Sequence, residues 1–175
     1  MLAGILLNIA GASVPAAAQG PTVITVAGKI SETNRGPLDA FEDAFLNSHD
    51  IAFDAAFTFD REALAALGMH RLVTRIPGTD HTVNVEGPLL RDVLKKVGAS
   101  GKTVSVMALD GYAADIAVAN LDTWPVVLAL KNNGKWLDIG GRGPAWVVYP
   151  ANEFPALATK DDAGWVWAAF FMRID

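Results

Sequence analysis

The sequence predicts a single folded domain of β-strands with a few short helices. A chain of 175 residues is long enough for one domain with a sizeable core and too short for two ordinary ones. The apolar fraction of 51% and the charged fraction of 19% exclude an intrinsically disordered chain. Runs rich in β-branched residues, bounded by Gly, Pro and Asn, recur along most of the chain and indicate strands.

The N-terminal segment is typical of a secretory signal peptide. Residues 1–20 contain no Asp, Glu, Lys or Arg. Their apolar run is too short to span a bilayer, and Ala16 and Ala18 supply the small side chains that a signal peptidase requires. We expect cleavage after Ala18, so that 1–18 is a signal peptide and 19–175 is an exported, periplasmic domain. A buried N-terminal helix is the alternative, which Gly4, Gly11 and Pro15 weaken.

Three helices follow from apolar spacing and end signals. Leu38, Phe41 and Phe45 recur at intervals of three and four, which is the pattern of a helix with one apolar stripe in the core. The second helix has an Asp at its N-cap, and the third opens with Gly-Pro and carries a continuous apolar face. The predicted helices are Pro37–Asn47, Arg61–Leu67 after the capping residue Asp60, and Pro88–Val97.

Turn signals separate the predicted strands. Pro77–Asp80 is a strong turn sequence, and Asn132–Gly134 contains the Asn-Gly pair preferred in tight hairpins. The first therefore joins two strands as a hairpin or a sheet corner, and the second joins two strands as a tight hairpin. The predicted strands are Thr22–Ala27, His70–Ile76, His81–Glu86, Thr103–Leu109, Ala113–Val118, Val126–Lys131, Lys135–Asp138, Ala145–Tyr149 and Trp165–Ile174.

Composition excludes several kinds of chemistry. The chain has no Cys, which removes thiolate metal sites, disulfides, Cys nucleophiles and iron-sulfur clusters. A net charge of -5 gives no general attraction for nucleic acid or an anionic membrane. The three His share no metal-ligand spacing, and the dinucleotide, P-loop, zinc-protease and nucleophile-elbow motifs are missing. We therefore expect neither a metal site nor catalytic residues, although a Ser-His-Asp hydrolase stays open.

Aromatic and charged residues concentrate at predicted loops, where binding sites tend to lie. Tyr112 follows Asp110-Gly111, Trp124 precedes Pro125, and Trp146 follows a Gly-rich loop that carries Arg142. A flat ring stacked on an aromatic side chain, with a carboxylate at its N–H edge, would use these residue types. The alternative is structural: Trp124 and Trp146 seal the edge of the core, and Arg142 is a solvated loop residue.

Four characteristic segments follow one another along the chain, namely Gly87–Leu94, Asp110–Ile116, Leu128–Lys135 and Gly141–Pro150. In this order they resemble the molybdopterin-binding domain of sulfite-oxidase-type enzymes, the SUOX fold. The resemblance covers residues 23–173 and implies an α+β fold with mixed β-sheets and a pterin-like ligand among the loops.

The missing Cys decides which branch of the fold the sequence resembles. Those enzymes bind molybdenum partly through a cysteine thiolate, so we do not expect a catalytic molybdenum centre of that type. The chain is similar to the small periplasmic pterin-binding regulators of the PruR type. This resemblance implies that it binds a reduced pterin such as tetrahydromonapterin. It also implies that ligand occupancy is passed to the periplasmic region of a membrane diguanylate cyclase or phosphodiesterase.

The resemblance also suggests the ligand contacts. Asp110 and Tyr112 match an Asp-Gly-Tyr element, and Arg142 matches a basic residue before Gly-Pro. Trp146 or Trp124 is the expected stacking surface. Arg75 lies where relatives have Thr-x-Thr-Pro-Trp and faces either the ligand or the solvent. Two other functions stay open, namely a molybdopterin-dependent oxidoreductase or its subunit, and an exported structural domain without a ligand.

Overall fold

The computed structural model describes residues 20–158 and 162–175, which form three β-sheets and five short helices. The predicted signal peptide, 1–18, lies outside these residues. The strands are β1 (Thr22–Gly28), β2 (Ala56–Asp60), β3 (His70–Arg75), β4 (Thr82–Gly87), β5 (Thr103–Ala108), β6 (Ala113–Ala117), β7 (Val127–Ala129), β8 (Lys131–Asn132), β9 (Lys135–Trp136), β10 (Trp146–Val148) and β11 (Ala169–Ile174). The helices are α1 (Ala44–Asn47), α2 (Arg61–Ala65), α3 (Leu90–Lys96), α4 (Asn120–Thr123) and α5 (Pro155–Ala158).

The largest sheet has five strands in the order β2-β1-β11-β5-β6. Strands β1 and β11 are parallel, and the other neighbours are antiparallel, so the sheet is mixed. Side chains on one face, such as Val26, Val106 and Met172, belong to the main hydrophobic core. Those on the other face, such as Ala27 and Phe171, pack in a second, smaller cluster. The C-terminal strand is therefore central and covered on both faces.

The remaining strands form a four-stranded sheet, β3-β4-β8-β9, and the two-stranded ladder β10-β7. The predicted hairpin between β3 and β4 is confirmed, with Leu72 paired to Val85. The hairpin between β8 and β9 is also confirmed: Asn133 and Gly134 both have positive φ, which the expected tight turn requires. Most predicted strands thus fall where β-branched runs and turn residues indicated them.

The predicted helix Pro37–Asn47 is wrong over most of its length, since only α1, Ala44–Asn47, is helical. Upstream, the Asp39 carboxylate accepts hydrogen bonds from the backbone N–H groups of Phe41 and Glu42. These bonds lower the pKa of Asp39, and residues 40–43 form turns before the short helix begins. Phe41 is 85% exposed and Phe45 46% exposed, so neither is the core residue expected.

The other two helices were predicted at the right places. The Asp60 side chain caps α2 by accepting a hydrogen bond from the N–H of Ala63 at 2.7 Å. Helix α3 begins at Leu90, two residues after the predicted start, because Leu89 is extended and the Pro88 carbonyl accepts a hydrogen bond from Leu128. Pro88 thus pairs with β7 as a strand residue would, before the helix begins.

We predict that Asp60→Ala lowers the free energy of unfolding by about 1–3 kcal/mol. The carboxylate is 5% exposed and also accepts a hydrogen bond from the N–H of Gly20, so its loss leaves two backbone donors without this acceptor. Urea unfolding measures the change. Asp60→Asn, which keeps one acceptor oxygen, should lose less, and the exposed Asp54→Ala should lose almost nothing. Equal losses in all three variants would contradict the capping role.

Candidate functional site

A cavity of about 480 Å³ lies where three loops meet beside the central strands. One loop follows β5, the second connects β9 to β10, and the third leads into β11. Its volume is within the range of about 300–1,000 Å³ that is usual for small-molecule sites. It brings together four of the six predicted ligand-contact residues, Asp110, Tyr112, Arg142 and Trp146, with Ile76, Ala108, Asp162, Ala163, Trp165, Val166 and Trp167.

Asp110 and Tyr112 are held by a compact turn. An Asp110 carboxylate oxygen accepts a hydrogen bond from the N–H of Tyr112 at 3.0 Å, and Gly111 between them has a φ of 86° that favours glycine. The Tyr112 hydroxyl donates to the carbonyl oxygen of Ala163 at 2.9 Å. The turn therefore fastens one wall of the cavity to the opposite loop, while Asp110 stays exposed at the rim.

Arg142 lies over a buried tryptophan. Its guanidinium carbon is 4.5 Å from the ring centroid of Trp146, a cation–π arrangement. Trp146 is fully buried, and its indole N–H donates to the carbonyl oxygen of Trp165 at 3.1 Å. The Trp146 ring is thus held by Arg142 on its face and by the Trp165 carbonyl at its N–H. It orients Arg142 at the cavity and has no exposed face on which a ligand could stack.

The glycine after Arg142 is required by close packing. A Cβ at Gly143 would lie 2.5 Å from the carbonyl carbon of Leu137, a distance that real side chains do not tolerate. The N–H of Gly143 donates to the carbonyl oxygen of Asp138. This close approach holds the loop against the end of the β8–β9 hairpin and fixes the position of the preceding arginine.

Trp167 is among the cavity residues that were not predicted from the sequence. The strand predicted over Trp165–Ile174 begins only at Ala169, because Ala168 adopts a left-handed conformation with a φ of 53°. The N–H of Ala168 donates to the carbonyl oxygen of Arg142 at 2.9 Å, so the interruption of the strand is held against the Arg142 loop. Trp167 is 47% exposed and lines the cavity. The sequence Trp-Val-Trp after a glycine could have indicated an aromatic binding loop. However, its alternating pattern is equally typical of a strand.

Trp124 lies in a different cavity, of about 210 Å³. Asp115, Asn120 and Tyr149 line it together with Trp124, and Trp165 contributes to both cavities. Trp124 is half-buried and packs against the main core. The structure therefore does not bring Trp124 together with Asp110 and Arg142.

Arg75 is held within its own hairpin turn. Its guanidinium forms an ion pair with Asp80 at 2.5 Å, and its Nε donates to the carbonyl oxygen of Thr79 at 2.6 Å. The adjoining cavity, of about 610 Å³, is formed by this turn and the Ala151–Pro155 region. Arg75 therefore faces a separate, open cavity, which shares only Ile76 with the lining around Asp110.

The Asp110 cavity offers polar and aromatic groups that a ligand could contact. Across residues 20–158 and 162–175, no group of three or more His, Asp or Glu side chains is arranged to hold a metal ion. The cavity offers an exposed aromatic face, carboxylates and a guanidinium that a planar, polar ligand could meet. None of the helices in the described ranges has the length and apolar composition needed to cross a bilayer.

Comparison with known proteins gives a structural likeness. The chain is similar to the crystal structure of the sulfane dehydrogenase SoxCD from Paracoccus pantotrophus, with a TM-score of 0.56 and 16% sequence identity. The match covers 87% of this chain and 38% of that chain. No protein-family model matches the sequence, and the comparison with curated proteins finds no match. The likeness shows the fold alone, and it confirms the predicted SUOX-like α+β domain with mixed sheets.

We predict a loss of stability at alkaline pH that depends on Tyr149. Burial raises the pKa of Tyr149 to about 12, from 10.0. The folded state then holds the phenol proton more tightly, so this contribution is complete below pH 10 and is lost as the pH rises through 12. Between pH 8 and pH 11 the loss amounts to about 1 kcal/mol.

The measurement is urea unfolding of the wild type and of Tyr149→Phe at both pH values. Phe cannot ionise, so the variant should lose less stability than the wild type over this interval. An identical pH dependence of the two proteins would show that Tyr149 ionises as readily in the folded chain as in the unfolded one.

Proposed function

We propose that this chain is a periplasmic protein that binds a reduced pterin, such as tetrahydromonapterin, in the Asp110 cavity. The observation that carries the proposal is the convergence of Asp110 and Tyr112 from one loop and Arg142 from another on a cavity that also exposes Trp167. The SUOX-like fold supports it at a coarse level, because that fold is compatible with pterin-type binding.

Each part of a pterin has a suitable partner among these residues. The flat bicyclic ring can stack on the exposed indole of Trp167. The carboxylate of Asp110 can accept hydrogen bonds from the amino and ring N–H groups, and the guanidinium of Arg142 can donate to the oxo group. The fit is to the organic ring, and it requires no protein thiolate.

The role that follows is regulatory. We propose that ligand occupancy is relayed to the periplasmic region of a membrane diguanylate cyclase or phosphodiesterase, and that the chain itself is not an enzyme. Export of 19–175 after removal of 1–18 would place the domain beside such a partner. The Tyr112–Ala163 hydrogen bond joins two walls of the cavity, so a ligand that displaces either wall can alter the protein surface there.

A molybdopterin-dependent oxidoreductase, or a subunit of one, is the second candidate, and the likeness to a sulfane dehydrogenase favours it. The chain contains no Cys to supply the thiolate expected in sulfite-oxidase-type enzymes. Elemental analysis of the exported protein separates the two functions. Stoichiometric molybdenum would favour the enzyme, and released fluorescent pterin without molybdenum would favour the binding protein.

We predict that the purified full chain binds tetrahydromonapterin in anaerobic calorimetry. Asp110→Asn and Arg142→Ala should each weaken binding about ten- to a hundredfold, because each removes a charged hydrogen-bonding group. Trp167→Ala should weaken it by about tenfold through loss of ring stacking. The matched controls are Asp122→Asn and Arg91→Ala, two exposed residues outside the cavity. Absence of wild-type binding at high micromolar ligand would refute the proposal.

We predict that Asp110→Asn changes the cellular cyclic-di-GMP level as deletion of the gene does. The variant keeps the fold but loses the carboxylate proposed to meet the pterin, so the relay should be locked in its unliganded state. Mass spectrometry of nucleotide extracts measures the level, with Asp122→Asn as the control. A deletion strain with unchanged cyclic-di-GMP would contradict the relay and leave pterin binding to be judged by calorimetry.

A further inference from the structure

Within residues 20–158 and 162–175, strand β6 ends the five-stranded sheet, and no strand pairs with its outer hydrogen-bonding edge. The flanking residues Tyr112 and Val118 are both hydrogen-bonded toward β5 or its extension. Antiparallel pairing alternates, so the N–H and C=O groups of Ala113, Asp115 and Ala117 face away from β5. These three residues are exposed. An open edge of this kind is a template for another extended chain.

The second cavity lies directly beside this edge. Its near wall is formed by Asp115, Ile116 and Ala117, and Trp124 and Tyr149 are among the residues that complete it. A volume of about 210 Å³ is below the usual range of about 300–1,000 Å³ for small-molecule sites. A cavity of this size, partly apolar and next to a strand edge, suits one side chain of a docked peptide.

A second copy of this chain is a poor occupant of the edge. Asp115 is the central residue of β6, so symmetric antiparallel pairing of two β6 strands would set the two Asp115 carboxylates opposite each other. Like charges in directly opposed positions destabilise a strand pair, whereas opposite charges stabilise it. The edge therefore favours a different chain, with a basic residue facing Asp115.

Side chains alternate between the two faces of a strand, and this determines which face the neighbours of that basic residue occupy. Asp115 is exposed, whereas the next residue, Ile116, is buried and lines the cavity. In a paired strand, the residues on either side of the basic one lie on the face of Ile116. An apolar side chain at one of these positions can enter the cavity near Trp124.

We propose that β6 is a docking site for an extended segment of a partner protein with an apolar-basic-apolar sequence. The segment adds a sixth strand to the sheet, with Lys or Arg opposite Asp115 and an apolar side chain in the cavity beside Trp124. The strand starts one residue after Tyr112, and Trp165 lines both cavities. Its use as the relay surface rests on the proposed function; the docking itself does not.

The test uses the full chain and a fluorescent peptide, acetyl-Thr-Val-Lys-Leu-Thr-amide, with a second peptide in which Glu replaces Lys. Fluorescence anisotropy should show several-fold tighter binding of the Lys peptide. Asp115→Lys should reverse this preference, and the exposed Asp122→Lys should leave it unchanged. Ala117→Pro removes one outward N–H without breaking pairing to β5, so it should weaken both peptides.

Three results would overturn the proposal: no binding of the Lys peptide at millimolar concentration, equal binding to the wild type and to both Asp115→Lys and Ala117→Pro, or self-association that Ala117→Pro abolishes. Circular dichroism confirms that each variant is folded. Pterin titration of the same variants separates the two proposals. Peptide binding without pterin binding would refute the proposed function alone, and pterin binding without peptide binding would refute the docking site alone.

Discussion

The position of β11 between β1 and β5 is the constraint on which the rest of the structure depends. The strand pairs with β1 in parallel and with β5 in the antiparallel sense, so it joins both ends of the described chain at the centre of one sheet. The backbones approach so closely that a Cβ at Gly28 would lie 2.3 Å from the carbonyl oxygen of Ile174. Both sheet faces are covered by apolar side chains, so most residues of this pairing are buried.

The Asp110 cavity is a consequence of how the chain enters β11. At Ala168 the left-handed residue breaks the strand, and its two backbone groups bond to the loops that carry Arg142 and Leu109. The neighbouring Ala169 donates to Ala145. Backbone hydrogen bonds therefore hold all three cavity loops relative to one rigid strand. A site built this way is organised before a ligand arrives, which reduces the entropic cost of binding.

The Asp110 cavity and the β6 edge are formed by neighbouring parts of one segment. Asp110 and Tyr112 face the first cavity, and three residues later Asp115 faces the second cavity and the open sheet edge. The segment 162–167 supplies lining residues to both cavities. A ligand in the first cavity and a strand on β6 would consequently meet the same short elements. This arrangement offers a direct physical route for coupling between a small molecule and a protein partner.

Local chemistry in the sequence was sufficient for most elements. The Asp60 cap, the Asn133-Gly134 turn and the β-branched strands depend on neighbours in the chain, so they were predicted at the right places. The order of motifs also led to the SUOX-like fold, which the structural likeness confirms. The exclusion of thiolate chemistry needed only the absence of Cys.

Tertiary structure alone decided the roles of the aromatic residues. Trp124 and Trp146 both lie next to predicted loops, so the sequence indicated the same role for each. In the structure, Trp124 lies in another cavity and Trp146 is buried beneath Arg142. Trp167 gained its exposed face from a backbone break at Ala168 that is stabilised by distant loops. The apolar spacing of Phe41 predicted a helix with a buried stripe, but the residue lies in a turn and its side chain is 85% exposed. The spacing of apolar residues and the composition of a segment determine which secondary structure it can form. Contacts between segments far apart in the chain determine which side chains remain available to a ligand.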